Sequence, residues 1–175
     1  MKYGIKVEGV TDKDVNTLKE RETLDKLKEG QIVEGFVTGV KPYGAFVKMD
    51  NDLSALVHIE DMSVARIKSP LERLKIGQKS KFVVKSINRD TGRVLLSYKE
   101  LLGSWEENAE KFEEGSVVKG IARETEKSKN GIFIELTPNL VGLAEYKDGI
   151  TYGQDVSVYI KKIIPEKKKV KLIII

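Results

Sequence analysis

The chain of 175 residues contains no cysteine and a single histidine. The first absence excludes a disulfide framework, thiolate metal sites and a cysteine nucleophile, and it fits a reducing compartment. With one histidine there is no cysteine/histidine constellation able to hold zinc. No apolar run reaches the ~18–20 residues needed to span a bilayer as a helix. The opening residues Met1-Lys2-Tyr3-Gly4-Ile5 lack the apolar core of a secretory signal, so a cytoplasmic location is expected and no membrane partner. No Gly-x-Ser-x-Gly nucleophile motif occurs, and no Gly-x4-Gly-Lys-Ser/Thr phosphate loop. Neither a catalytic residue nor a small-molecule cofactor is expected, and the chain is read as a non-enzyme.

What is present is charge and a repeat. Hydrophobic residues make up 40% and charged residues 33%, a composition that suits folded domains rather than disorder. The net charge of +4 is unevenly spread. Residues 30–98 hold 11 Lys/Arg against 7 Asp/Glu, and residues 115–175 hold 11 against 7 again. The remainder, 1–29 with 99–114, holds 9 against 13. Two basic blocks separated by acidic segments suit a polyanionic partner, although lysine-rich strand faces also serve solubility.

Gly30-Gln31-Ile32-Val33-Glu34-Gly35 returns as Gly115-Ser116-Val117-Val118-Lys119-Gly120, an offset of 85. Gly44 through Met49 returns as Gly131 through Leu136, offset 87, and Ile87 through Val94 returns as Ile163 through Val170, offset 76. The second copy thus gains two residues in its first hairpin and loses eleven (87 less 76) before its fourth strand. Each copy carries five short Val/Ile/Phe-rich runs bounded by glycine and polar turns. They are predicted at 31–41, 43–49, 54–59, 80–88 and 93–98, then at 116–125, 131–136, 140–144, 155–164 and 168–174. Five strands in so short a segment bury their apolar side only by closing into a barrel. The expected fold is therefore all-β, with two tandem five-stranded barrels.

Between and before the barrels the pattern is helical. Residues 1–29 form a charged N-terminal segment, with a helix over 12–29 capped by Thr11 or Asp12. Val15, Leu18, Leu24 and Leu27 give it a partial apolar stripe, and Gly30 ends it. Residues 99–114 read as a helical connector packed through Leu101, Leu102, Trp105 and Ala109. Trp105 is expected as an interdomain plug, with base stacking as the alternative.

The order Gly30-x4-Gly35-x-Val37-x2-Val40-x2-Tyr43-Gly44-Ala45-Phe46-Val47, then Leu56-Val57-His58-Ile59, then Val84-Lys85-x-Ile87-Asn88-x4-Arg93-Val94-x-Leu96-Ser97, closely resembles the S1 RNA-binding domain. Residues 115–175 resemble it more loosely. The resemblance implies OB-type barrels, the first at 30–98 acting as the main single-stranded RNA-binding domain. The second, at 115–175, is a degenerate copy. It also implies a ribosomal S1-like role in translation, with mRNA or the ribosome as partners. On the family's positions fall Tyr43, Phe46, His58, Lys85, Asn88 and Arg93, with Lys48 outward beside them. The family usually has Asp where Asn88 stands, and Asn keeps an acceptor while adding donors.

Each of these residues also has a plainer reading. Tyr43 and Phe46 could be half-buried strand residues and His58 a surface polar group. Arg66 and Lys68 are expected to be solvated. The second copy replaces Tyr43, His58 and Asn88 with Asn130, Glu145 and Ile164. It retains Phe133 and Lys169, with Tyr159, Lys161 and Lys171 outward, as a weaker second surface. The alternatives are a protein-docking module on the ribosome or an RNA-processing enzyme, or the RNA-binding appendage of a nuclease. Because Ile173-Ile174-Ile175 stops directly after a strand, the chain is expected to be cut from a longer multi-barrel protein, or else tightly trimmed.

Overall fold

A computed structural model describes residues 12–175; Thr11 and the side chains of residues 12–17 and 129, the cap candidate Asp12 and the stripe residue Val15 among them, lie outside the described residues. Ten strands form two closed barrels. The first comprises β1 (Ile32–Lys41), β2 (Gly44–Met49), β3 (Ser54–His58), β4 (Lys79–Asn88) and β5 (Arg93–Ser97). Its order is β1-β2-β3-β5-β4, and β3 runs parallel to β5 while the other pairs are antiparallel. The second comprises β6 (Val117–Glu124), β7 (Ile132–Thr137), β8 (Leu140–Ala144), β9 (Asp155–Ile164) and β10 (Lys169–Ile174) in the same cyclic arrangement. Predicted and observed strands differ by a residue or so at their ends, where pairing frays.

Period-two alternation fills each barrel. Ala45, Val47 and Met49 of β2 point inward with Phe82 and Val84 of β4 and Val94 and Leu96 of β5. Ile132, Ile134, Leu140, Val158, Ile160, Val170 and Leu172 do the same in the second barrel. Each large side chain removed from water contributes about 1.5–3 kcal/mol before conformational entropy is charged against it.

The repeat extends to individual hydrogen bonds. The Gly30 N–H donates to the Val84 carbonyl at 2.7 Å, and Gly115 donates to Ile160 at 2.8 Å, the same two places one copy later. Both glycines have φ +85°, a left-handed turn that closes the segment before the first strand. Gly44 is needed for another reason. A Cβ there would lie 2.3 Å from the Val57 carbonyl oxygen, so β2 and β3 approach this closely only without a side chain.

The N-terminal helix α1 (Asp12–Lys26) docks on the first barrel through its C-terminal end. Leu24 and Leu27, at and just beyond its end, join the first core, whereas Leu18, also expected in the stripe, is exposed. Arg89, from the β4–β5 turn, donates to the carbonyls of Leu24 (2.8 Å) and Leu27 (2.9 Å). The Leu24 carbonyl also accepts from the Leu27 N–H at 3.1 Å, and Arg89 thus satisfies acceptors at the helix C-terminus.

The connector contains the short helix α2 (Trp105–Ala109), started by a Ser104/Glu107 capping box. Ala109 enters the second core and Trp105 packs against it, so the connector is tied to the second barrel. Joining the barrels falls to a polar cluster that the sequence did not suggest. Arg123 donates through Nε to Glu135 (2.9 Å) and through a terminal nitrogen to Glu72 (2.6 Å) and the Tyr152 hydroxyl (3.1 Å). Arg73 pairs with the same Glu135. Glu72 and Arg73 come from the β3–β4 connection of the first barrel and the other three from the second.

Candidate nucleic-acid interface

Strand register decides which side chains share a face of the first barrel. Phe46 lies opposite Leu56, Leu56 opposite Leu95, and Leu95 opposite Ser86, which makes one row across β2, β3, β5 and β4. A second row runs from Lys48 opposite Ser54 to Arg93 opposite Asn88. Alternation sends both rows outward, because Ala45, Val47, Ala55, Val57, Val94 and Leu96 fill the core. His58 stands opposite Gly44 at the upper edge of the face.

Tyr43 occupies the turn between β1 and β2, where its carbonyl accepts from the Ile59 N–H at 2.9 Å. Its ring stands edge-on to Phe46, with centroids 6.2 Å apart and planes at 88°. Despite their size the two rings are 50% and 36% exposed. They form an aromatic platform in solvent, bordered by Lys48 and Arg93, both of which are exposed.

Asn88 faces both the turn and the surface. Its carboxamide oxygen accepts from the N–H groups of Asp90 (3.1 Å) and Thr91 (3.2 Å), the local turn bond favoured by Asx residues. The amide nitrogen has no partner among the described residues and is the end available to a ligand. Asp would serve the turn equally well but would offer no donor.

Lys85 sits at the bulge between Val84 and Ser86. Its ammonium donates to both carboxylate oxygens of buried Asp61, at 3.0 and 2.9 Å. The hydrogen bond to Asp61 outweighs burial and raises the Lys85 pKa above its ordinary value. The structure therefore brings Tyr43, Phe46, His58, Lys48, Asn88 and Arg93 onto one face, and holds Lys85 in an ion pair.

The second barrel presents a groove of about 760 Å³ on the corresponding side. Phe133, Lys161, Lys169 and Lys171 line it and Tyr159 does not. Tyr159 lies across from Val117 of β6 on one side and Ile173 of β10 on the other. Lys68, expected to be solvated, is engaged with the second barrel. Its N–H donates to the Tyr152 hydroxyl at 2.7 Å, and its ammonium lies 4.3 Å from the centre of that ring.

A five-stranded closed barrel with a parallel β3–β5 contact and an aromatic-basic outer face is the form of an OB-type nucleic-acid-binding domain. The model of the S1 RNA binding domain matches residues 26–99, and this part of the chain belongs to that family. Over 173 residues the chain is 31% identical to small ribosomal subunit protein bS1 of Staphylococcus aureus strain COL, covering 92% of this chain and 44% of that protein. Over 171 residues it is 32% identical to a protein of Clostridium acetobutylicum named 4-hydroxy-3-methylbut-2-enyl diphosphate reductase, covering 88% of this chain and 26% of that one. Among solved structures, GSP13 of Bacillus subtilis is 27% identical, with a TM-score of 0.43, over 51% of this chain and 75% of that one. The chain spans less than half the length of these curated relatives.

Proposed function

We propose that the protein binds single-stranded RNA through the β2–β3–β5 face of the first barrel, in an S1-like role associated with translation. The observation that carries this reading is the Tyr43–Phe46 pair, held out in solvent on the face that also carries Lys48 and Arg93. Bases of an unpaired strand stack on such rings whatever their sequence, contributing about 1–3 kcal/mol each. Lys48 and Arg93, in the row beside Phe46, neutralise phosphates, while His58 and the Asn88 amide reach base edges or 2′-hydroxyls. Lys85 has its charge already balanced by Asp61 and serves to hold the turn after β3.

The protein acts by binding and not by catalysis. Its chemistry is stacking and charge neutralisation, which need neither a metal nor a cofactor. The relationship to bS1, itself a ribosomal subunit protein, supports association with the ribosome or mRNA and a cytoplasmic location. Among the described residues no helix is long and apolar enough to cross a membrane. The reductase name of the Clostridium protein belongs to a chain of which only 26% aligns here.

Salt dependence tests this reading. With about four phosphates neutralised, affinity for a poly-pyrimidine strand falls roughly 50-fold between 50 and 200 mM salt. Fluorescence titration of labelled RNA measures that slope, and a flat response overturns the proposal.

A further inference from the structure

The eleven residues that the first copy has and the second lacks are not a free loop. They fall in the β3–β4 connection, and this connection lies against the second barrel. The N–H groups of Val64 and Ala65 both donate to the Pro138 carbonyl at 3.0 Å, in the β7–β8 turn. Farther along, Glu72 and Arg73 enter the buried cluster with Arg123 and Glu135. Fixed at both ends, the connection forms one wall of the groove on the second barrel, to which it contributes Val64 and Arg66.

The groove's other parts belong to the second barrel. Phe133 and the exposed Leu143 offer apolar surface, and Lys161, Lys169 and Lys171 stand along β9 and β10. These lysines and Arg66 are exposed and make no hydrogen bond or ion pair among the described residues. The lining also holds Glu124 and Glu145, so four unpaired cations face two carboxylates. Arg123 reaches the same lining but is committed to Glu72 and Glu135. An aromatic ring with flanking free cations suits a single-stranded polyanion. An acidic peptide would use the cations and leave the ring idle.

We propose that this groove is a second single-stranded RNA site that neither barrel forms alone. The first barrel's inserted connection supplies Arg66 as a phosphate contact, and the second barrel supplies Phe133 and the three lysines. The proposal rests on the RNA-binding reading of the first barrel and extends it. It gives the longer connection a function: the first copy completes the face on which the second has lost the counterparts of Tyr43, His58 and Asn88.

The test uses the whole chain and labelled oligouridylates of two lengths. A strand of about 8 nucleotides fits one barrel, and one of about 24 covers both. Arg66→Glu and Lys169→Glu, both at exposed positions, each weaken the long strand about tenfold and change the short one less than about twofold. Arg66→Ala lowers the slope of log affinity against log salt by about 0.7 for the long strand only. If both charge reversals leave the long strand unaffected while Phe46→Ala weakens it, RNA binding stands and the composite groove is refuted. If Lys169→Glu acts and Arg66→Glu does not, the second barrel binds unaided and the proposal also fails. Binding of a poly-glutamate peptide that the long strand cannot displace overturns it in favour of a protein partner. If neither strand binds the wild-type chain, both readings fall together.

Discussion

Replacing Arg123 with methionine lowers the midpoint of thermal unfolding by about 6–12 °C. The side chain is only 3% exposed, and it joins Glu135, itself 6% exposed, to Glu72 of the other barrel. Removing one partner from a buried ion pair costs about 3–5 kcal/mol, because the remaining charge has neither water nor a counterion. Glu135 keeps Arg73, so the lower end of that range applies. For a chain of this size each kcal/mol moves the midpoint by about 2–4 °C. Differential scanning calorimetry reads the shift directly. A midpoint within a degree of wild type would mean that the cluster does not hold the barrels together.

The same cluster makes the junction sensitive to acid. Burial pushes the Glu72 carboxyl upward, but hydrogen bonds from Tyr152, Arg123 and the Lys68 N–H prevail and hold it at about 2, against an ordinary 4.5. Burial and the bond to Glu72 raise the Tyr152 phenol, which keeps its proton and remains the donor. A carboxyl with a lower pKa folded than unfolded stabilises the fold fully above pH 4.5. That contribution is lost as pH falls from 4.5 toward about 2, because the unfolded chain takes up the proton first. Glu72→Gln is therefore less stable than wild type near neutrality, and the gap narrows steadily below pH 4.5. Melting curves across that window check it, and a gap independent of pH would disprove the assignment.

This cluster also shows where the sequence stopped being legible. The barrels could be read because their signal is local: alternation within a strand, glycine at turns, and the same order twice. The residues on the face of the first barrel were legible through the resemblance to the S1 domain, and strand register sets them side by side. Lys85 did not follow, since parity cannot reveal a bulge that swings its ammonium to Asp61. Arg123 and Glu72 are 51 residues apart, and Arg73 and Glu135 are 62 apart. A charged residue on a strand normally reads as a solvated one, so neither pair stood out. One signal was present. On the facing strands β6 and β7 the second copy has Arg123 and Glu135 where the first has Thr38 and Lys48. An acid and a base appearing together in a degenerate copy, beside an insertion that carries Glu72 and Arg73, marks a contact between copies.

The aromatic platform carries the other large effect. Tyr43→Ala together with Phe46→Ala weakens binding of a single-stranded poly-pyrimidine at least about 30-fold. Each ring lost removes about 1–3 kcal/mol of stacking, and a combined 2 kcal/mol already corresponds to that factor. Stability provides the control. Both rings are substantially exposed and neither belongs to the first core, so little burial energy is lost with them. Melting within about 2 °C of wild type is expected, in contrast to Arg123→Met, which strikes the junction. Lys48→Ala acts differently, weakening every strand alike and reducing the salt slope by about 0.7, as a phosphate contact does. If the double variant bound RNA like wild type while the Arg66 and Lys169 charge reversals abolished binding, the principal site would lie between the barrels. If it melted far below wild type, the rings would be structural, and the exposed platform would be a consequence of packing instead of a surface for bases.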